Sequence, residues 1–322
     1  GKDRVKLSGI KGAPPPPTTK LAIFYRGGFQ SELLLNATGY ATQQKWELWE
    51  KIMRYTLREK GIEDKFDVLE FQIIGTPAQN PRSQLQSTTY MRIFAETSDP
   101  SLNIALVQSM SERVMQHFSG FHNSLDMRTA LPKPFLAFYP ALYSQSDLKC
   151  SVTMLSADGK SERREETTPP PQTEALEKRS SYDTADPVSL DQYQPTRMIR
   201  LGDIALARSG DKGPNLNIGI FVRKPAHWDW LRSFLTRGKM ADLLGDDWKE
   251  DEYFIERVEF PKIWAVHFVV YGILGRGVSS SSRLDALGKG VADFVRDVWV
   301  PVPERFLENI EYLGAVRKEW NC

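Results

Sequence analysis

Along this chain the spacing of apolar residues switches between two and three-to-four in a fixed order, and it does so twice. Lys20–Tyr25 is an apolar strand ending at Gly27-Gly28, Ala41–Glu59 sets Trp46, Trp49 and Met53 at helical spacing, and Val68–Ile74 alternates. Thr88–Glu96 reads as another strand. Leu102–Phe118 puts Ile104, Val107, Met110, Val114 and Phe118 on one helical face, and Pro134–Tyr143 is a further strand. After a polar interruption, Ile199–Arg208 and Asn217–Val222 are strands, Trp228–Leu244 a helix, and Phe254–Phe260 and Trp264–Tyr271 a strand pair. A helix over Ser282–Asp297 and a last strand at Val298–Val302 follow. Each half therefore runs βαββαβ, with one extra strand ahead of the second.

A split βαββαβ unit packs two helices on one face of an antiparallel sheet, the ferredoxin-like arrangement. The expected fold is α+β, two such modules joined by a long linker. Residues 20–150 form the first module, 151–195 the linker, 196–305 the second module and 306–322 a C-terminal tail. Residues 1–19 read as a joint, because Ala13 leads into four prolines, a stiff extended spacer. Ser156–Gln194 carries Pro169–Pro171, many charges and few large apolar residues, the pattern of a mobile linker. The chain opens on Gly1 and its first methionine is Met53, which points to a missing upstream domain as a partner.

Charge narrows the partners. Lys plus Arg number 42 against 41 Asp plus Glu, with no long run of either sign, so neither nucleic acid nor an acidic membrane surface is expected. The two cysteines, Cys150 and Cys322, lack the spacing of a zinc site or disulfide framework, so free thiols in a reducing, cytoplasmic setting are expected. No apolar stretch approaches the ~20 residues of a membrane helix. Neither a cofactor nor a metal is expected.

The most unusual stretch is Arg208-Ser209-Gly210-Asp211-Lys212-Gly213-Pro214-Asn215, a polar segment between two apolar strands. It lacks the GxxxxGK[ST]-then-helix pattern of a P-loop, and no GxGxxG opens a helix elsewhere. Two readings stand: a hairpin turn in which glycines supply positive φ, or an anion-binding nest of amides with Arg208 and Lys212 adding charge. With strand order 4-1-3-2, this segment meets the Gly272–Ser282 loop, where Arg276, Gly277, Ser282 and Arg283 precede the expected helix start. The ligand set predicted for one small anionic substrate is Arg208, Ser209, Gly210, Lys212, Gly213, Asn215, Arg276, Gly277, Ser282 and Arg283. Asp211 or Asp285 would orient a reacting group.

His267 falls on the open sheet face, where an interface is expected, and a homo-oligomer would use such a face. His117, His122 and His227 have no clustered acid or thiol, so surface or helix-end positions are expected. Trp46, Trp49, Trp228 and Trp230 read as core or interdomain anchors. Tyr25–Phe29 reads as a strand-end turn whose Arg26 could face a ligand.

The run Leu201–Gly213, containing Arg-Ser-Gly-Asp-Lys-Gly and followed by Asn217-Ile218-Gly219, closely resembles the small C-terminal domain of AtuA-like (acyclic terpene utilisation) proteins. Gly272–Gly277, Ser282–Asp285 and Gly288-Lys289 fall where that family has a Gly-rich turn followed by Asp and Gly-Lys. Val5–Pro17 and the pattern after Lys20 extend the likeness. The resemblance implies a large α/β domain upstream. It also implies a role in degrading acyclic terpenoids or related branched acids as coenzyme A thioesters, with a hydration or carbon–carbon lyase step. Two functions compete: an enzyme acting on an acyl-CoA or carboxylate, and a non-catalytic assembly module for an upstream catalytic domain. If the loop cations are occupied by internal salt bridges, assembly is favoured.

Overall fold

The computed structural model describes residues 3–113 and 115–307. The first module contains β1 (Thr18–Thr38), α1 (Thr42–Glu59), β2 (Val68–Ile74), β3 (Thr88–Thr97), α2 (Pro100–Glu112), β4 (Phe121–Asn123) and β5 (Lys133–Ser144). Its sheet runs β2-β3-β1-β4, with β5 also pairing β1. Period-two side chains Leu33, Leu35 and Ala37 of β1 and Met91, Ile93 and Ala95 of β3 form one buried face. Trp46, Trp49, Met53 and Leu57 descend from α1 onto it, with Leu106 and Met110 from α2. Each fully buried large side chain contributes roughly 1.5–3 kcal/mol of transfer free energy.

Two expectations for this module are corrected. The first strand does not stop at its glycine pair, and Tyr25–Phe29 is no turn, because β1 continues to Thr38. Gly27 and Gly28 are there for close approach. A Cβ on Gly27 would lie 2.3 Å from the Phe135 ring, and one on Gly28, at φ +130°, would lie 2.7 Å from the Thr97 carbonyl oxygen. The second helix ends at Glu112, capped at its start by Asp99, whose side chain accepts from the Ser101 amide. Its inner face is Asn103, Leu106, Ser109 and Met110, while Ile104 is exposed. The expected stripe is thus only partly inside: Met110 is buried and Val107 and Phe118 pack against the core, but Asn103 and Ser109 take inner places and Ile104 faces out; Val114 lies outside the described residues.

Residues 1–23 and 139–181 form a separate unit. Within it, β6 (Cys150–Leu155) and β7 (Glu162–Thr167) make an exposed antiparallel hairpin. The proline spacer is used as a row of acceptors: the Pro17 and Pro16 carbonyls take the Gln145 amide and side chain, and Pro15 takes the Glu174 amide. The expected linker is thus a hairpin plus an extended return, and its last part, from Tyr182, belongs to the second module.

That module contains β8 (Thr196–Arg200), β9 (Ala205–Lys212), β10 (Asn215–Val222), α3 (Trp228–Phe234), α4 (Arg237–Leu244), β11 (Phe254–Phe260), β12 (Ala265–Tyr271), α5 (Val291–Asp297) and β13 (Trp299–Pro303). The main sheet is β11-β12-β10-β9, and β13 pairs with β8 instead. The place beside β10 expected for the final strand is therefore held by β9. A two-residue turn makes β9 a local partner, with far less loop to close than a strand returning from residue 299.

The predicted helix over Trp228–Leu244 breaks at Leu235, and Thr236 restarts it by accepting the Lys239 amide at 3.0 Å. Arg257 exploits the break. Fully buried at 0% exposure, it donates to the carbonyls of Leu235 (2.6 Å), Arg232 (2.7 Å) and Tyr182 (2.9 Å), and pairs with Glu259. It thereby fastens the end of α3 and the incoming segment at Tyr182 to β11.

His227, expected at a surface or helix end, is at a helix start but only 7% exposed, stacked 4.1 Å from the Phe306 ring. Burial, with Lys224 adding repulsion, lowers its pKa from 6.5 to about 4. The unfolded chain binds this proton near pH 6.5 and the folded chain only near pH 4, so stability is fully present above that window and is lost as pH falls through it. We expect about 2 kcal/mol less stability at pH 5 than at pH 7 from this group. Urea titrations should show the loss in the native chain and a flatter profile in His227→Phe.

Candidate functional site

The unusual polar segment is the end of a ladder. Lys212 pairs with Asn215, leaving Gly213-Pro214 as a two-residue hairpin loop with Gly213 at φ +67°. Strand alternation then sorts the side chains. Ser209 and Asp211 point to the helix side, where the Ser209 hydroxyl donates to the Gly288 carbonyl (2.6 Å) and accepts the Ala292 amide (2.9 Å). Arg208, Gly210 and Lys212 face the opposite, open side.

On that side Gly210 leaves bare backbone between two exposed cations. A third reaches in, because a Cβ at position 210 would lie 3.0 Å from the Lys289 Nζ. Residues two apart on a strand are separated by about 6.8 Å, so Arg208 and Lys212 flank Gly210 on the same open face. Asn217 stands directly across the ladder, and Gly219, with His267 beyond it, continues the open floor. Among the described residues none of the three cations forms an ion pair or a side-chain hydrogen bond. Asp285 sets the base of Lys289, accepting the amides of Lys289 (3.0 Å) and Gly290 (2.7 Å).

The second loop does meet the first. The Leu274 amide donates to the Pro214 carbonyl at 3.0 Å, and a Cβ on Gly277 would be 3.2 Å from the Gly213 carbonyl carbon. Its functional groups, however, point elsewhere. Arg276 pairs with Glu96 of β3, a carboxylate 1% exposed whose oxygens receive no well-directed hydrogen bond from the described residues. Ser282 donates to Glu70 at 2.8 Å, and its carbonyl accepts from Arg92 (2.7 Å) and Gln72 (3.0 Å). Arg283 bonds the Tyr253 hydroxyl, and the Asn215 side chain accepts the Gly272 amide at 3.1 Å.

The predicted ligand set therefore divides. Arg208, Gly210 and Lys212 come together; Ser209, Gly213 and Asn215 build the hairpin and its packing; Arg276, Gly277, Ser282 and Arg283 brace the two modules or the loop itself. Asp211 faces away from the cations. The predicted helix start at Ser282 is absent, since α5 begins only at Val291. Lys289 is absent from the predicted set. Its signal was the Gly288-Lys289 pair: Gly288, at φ +58°, has no room for a Cβ, which would sit 2.5 Å from Leu216, and this close packing sets the lysine beside β9.

Two family models match the chain: acyclic terpene utilisation family protein AtuA over residues 1–154, and the AtuA ferredoxin-like domain over residues 199–301. The chain belongs to the acyclic terpene utilisation family. No curated protein and no solved structure matches it. Within the AtuA ferredoxin-like domain lie all three open-face cations with Gly210 and Asn217, whereas Glu70, Arg92 and Glu96 lie in the segment matched by the AtuA model. The brace from Arg276 and Ser282 thus links the two matched AtuA segments. Among the described residues of this AtuA-family chain, no helix is long and apolar enough to cross a membrane, and no acidic, His or Cys group has metal-site geometry.

Proposed function

We propose that this chain is the C-terminal part of a protein acting on a branched or terpenoid acyl-CoA or carboxylate. The anionic end of the ligand is held over Gly210 by Arg208, Lys212 and Lys289. The observation that carries this reading is Lys289 Nζ beside the bare backbone of Gly210, on the strand face that also bears Arg208 and Lys212, with no acidic partner for any of the three among the described residues. Asn217 adds a polar contact, and Asp285 acts as a positioning residue for Lys289. A hydration or carbon–carbon lyase step accords with the family, and the remainder of the catalytic machinery would come from an upstream domain.

The test is titration of phosphate, coenzyme A and a simple carboxylate against the native chain and folded Arg208→Ala, Lys212→Ala and Lys289→Ala variants. A charge-assisted hydrogen bond is worth roughly 1.5–3 kcal/mol, so each variant should bind at least about tenfold more weakly. Arg283→Ala, whose guanidinium is engaged by Tyr253, should bind as the native chain does. Equal binding by all variants, or none at millimolar ligand, removes the site.

A second reading is favoured by the brace: with Arg276 and Ser282 committed to Glu96 and Glu70, half of the expected anion site serves assembly of the two modules. On this reading the chain is an assembly or dimerisation module, and anions would bind weakly and without dependence on the three cations.

A further inference from the structure

The first module has a cavity of about 280 Å³ at one end of its sheet, between the start of α1, the end of β2 and the start of β3. Its walls include Thr42, Gln43, Gln44, Trp46, Ile73 and Thr89. At 18 residues, α1 is the longest helix among those described, and its N-terminus is left open. Ala41 occupies the cap position in a left-handed conformation, φ 58°, and supplies no capping oxygen. The first turn contains no acidic residue. The amides of Thr42, Gln43 and Gln44 accordingly have no acceptor among the described residues, and the helix dipole concentrates positive potential there.

A second, independent feature points to a ligand. Thr42 is only 4% exposed, its side chain lines the cavity, and its hydroxyl has no hydrogen-bond partner among the described residues. The Thr42 hydroxyl is not sealed off from the cavity, so its proton and lone pairs are open to a ligand there. Thr89, equally buried, accepts the Trp46 indole N–H at 2.8 Å, which leaves its own proton to donate into the same cavity. Amides and hydroxyls that can donate thus converge.

We infer that this cavity binds the carboxylate of a short-chain organic acid, in a site separate from the cation cluster of the second module. The charge follows from the walls: no lysine or arginine lines the cavity, so a single negative charge is matched by the helix end, whose dipole is equivalent to roughly half a unit charge, whereas a phosphate dianion is not. The tail follows from Trp46, Ile73 and Pro77, which give an apolar wall. The volume lies just below the roughly 300–1,000 Å³ of sites for drug-sized ligands, which selects a short chain.

The experiment titrates 3-methylbutanoate, its neutral amide and inorganic phosphate against the whole chain, following calorimetry and the amide resonances of residues 42–44. The carboxylate should shift those resonances, and the amide and phosphate should leave them in place, whatever phosphate binds at the cation cluster of the second module. Thr42→Val should weaken the carboxylate about tenfold. Gln44→Glu places a carboxylate at the helix's own first turn; it should eliminate binding while leaving the fold as stable or more so. Arg208→Ala should leave this affinity unchanged, which separates the outcome from that of the second-module site. Equal binding of acid and amide, phosphate binding with the same sensitivity to these variants, undiminished binding by Gln44→Glu, or no binding at millimolar acid would each overturn the inference.

Discussion

Arg257→Met is expected to destabilise the chain by about 3–5 kcal/mol, the range for breaking a buried charge network by removing one partner. The methionine fills similar volume, so the loss is chiefly polar. It strands the carbonyls of Leu235, Arg232 and Tyr182 and leaves Glu259, nearly buried, without this cation. Two of those carbonyls are the unpaired acceptors of a helix end, where a guanidinium also meets the negative end of the dipole. Arg257→Lys should recover little, because one ammonium cannot reproduce a planar fork across three acceptors. Urea unfolding measures the total. Limited proteolysis near Tyr182–Val188 should show that segment cut first in the variant, since its other ties are the bonds of Tyr182 to the Arg257 carbonyl and the Glu259 amide and single side-chain bonds between Asp183 and Arg237, Thr184 and Arg232, and Val188 and Ser233. A loss under about 1 kcal/mol would mean that the carbonyls find water and the network is peripheral.

The second large effect is expected at the brace. Arg276→Ala leaves Glu96 buried in β3 without its cation, and the fold should lose about 3–5 kcal/mol at neutral pH. Adding Glu96→Gln removes the stranded charge, so the double variant should be more stable than Arg276→Ala alone. That inversion is the diagnostic result. It distinguishes a structural ion pair from an arginine held for a ligand, whose removal would weaken anion binding and leave stability unchanged. Urea midpoints of the native, single and double variants, with anion titrations alongside, give both readouts.

How much of this was legible depended on whether local pattern or distant packing decided the outcome. Trp46, Trp49 and Met53 recur at helical spacing and are core, and Val266, Phe268 and Val270 alternate into it, because one face of each element meets apolar neighbours. Where a polar residue took an inner position the pattern misled: Asn103 and Ser109 hide the true face of α2, and buried Arg257 looks from sequence like a surface residue of a half-polar strand. Glycines misled in the other direction. Gly27 and Gly28 read as punctuation but make room for Phe135 and the Thr97 backbone, a tertiary reason that no local window contains. At the candidate site, proximity of the two Gly-rich segments was legible from topology. Side-chain direction was not: alternation along β9 separates Arg208 and Lys212 from Asp211, and Arg276 is claimed by a glutamate some 180 residues earlier.

The clasp between β8 and β13 has a mechanical consequence. Thr196 pairs with Pro303 and Arg200 with Trp299, so the strands run antiparallel and the chain enters and leaves the module at the same end of the ladder. Tension applied through the flanking segments would open this pair one rung at a time, as a zipper opens, instead of shearing all its bonds together. With tension applied at Thr196 and Pro303, β9 and β10, joined by a local hairpin and not by the C-terminal strand, would feel little of that load until the clasp had peeled away, whereas a pull passed on through Tyr182 would first meet its ties to β11. The topological exchange that moves β13 out of the sheet therefore places a mechanically soft link in series with the module, ahead of the strands that carry its cations.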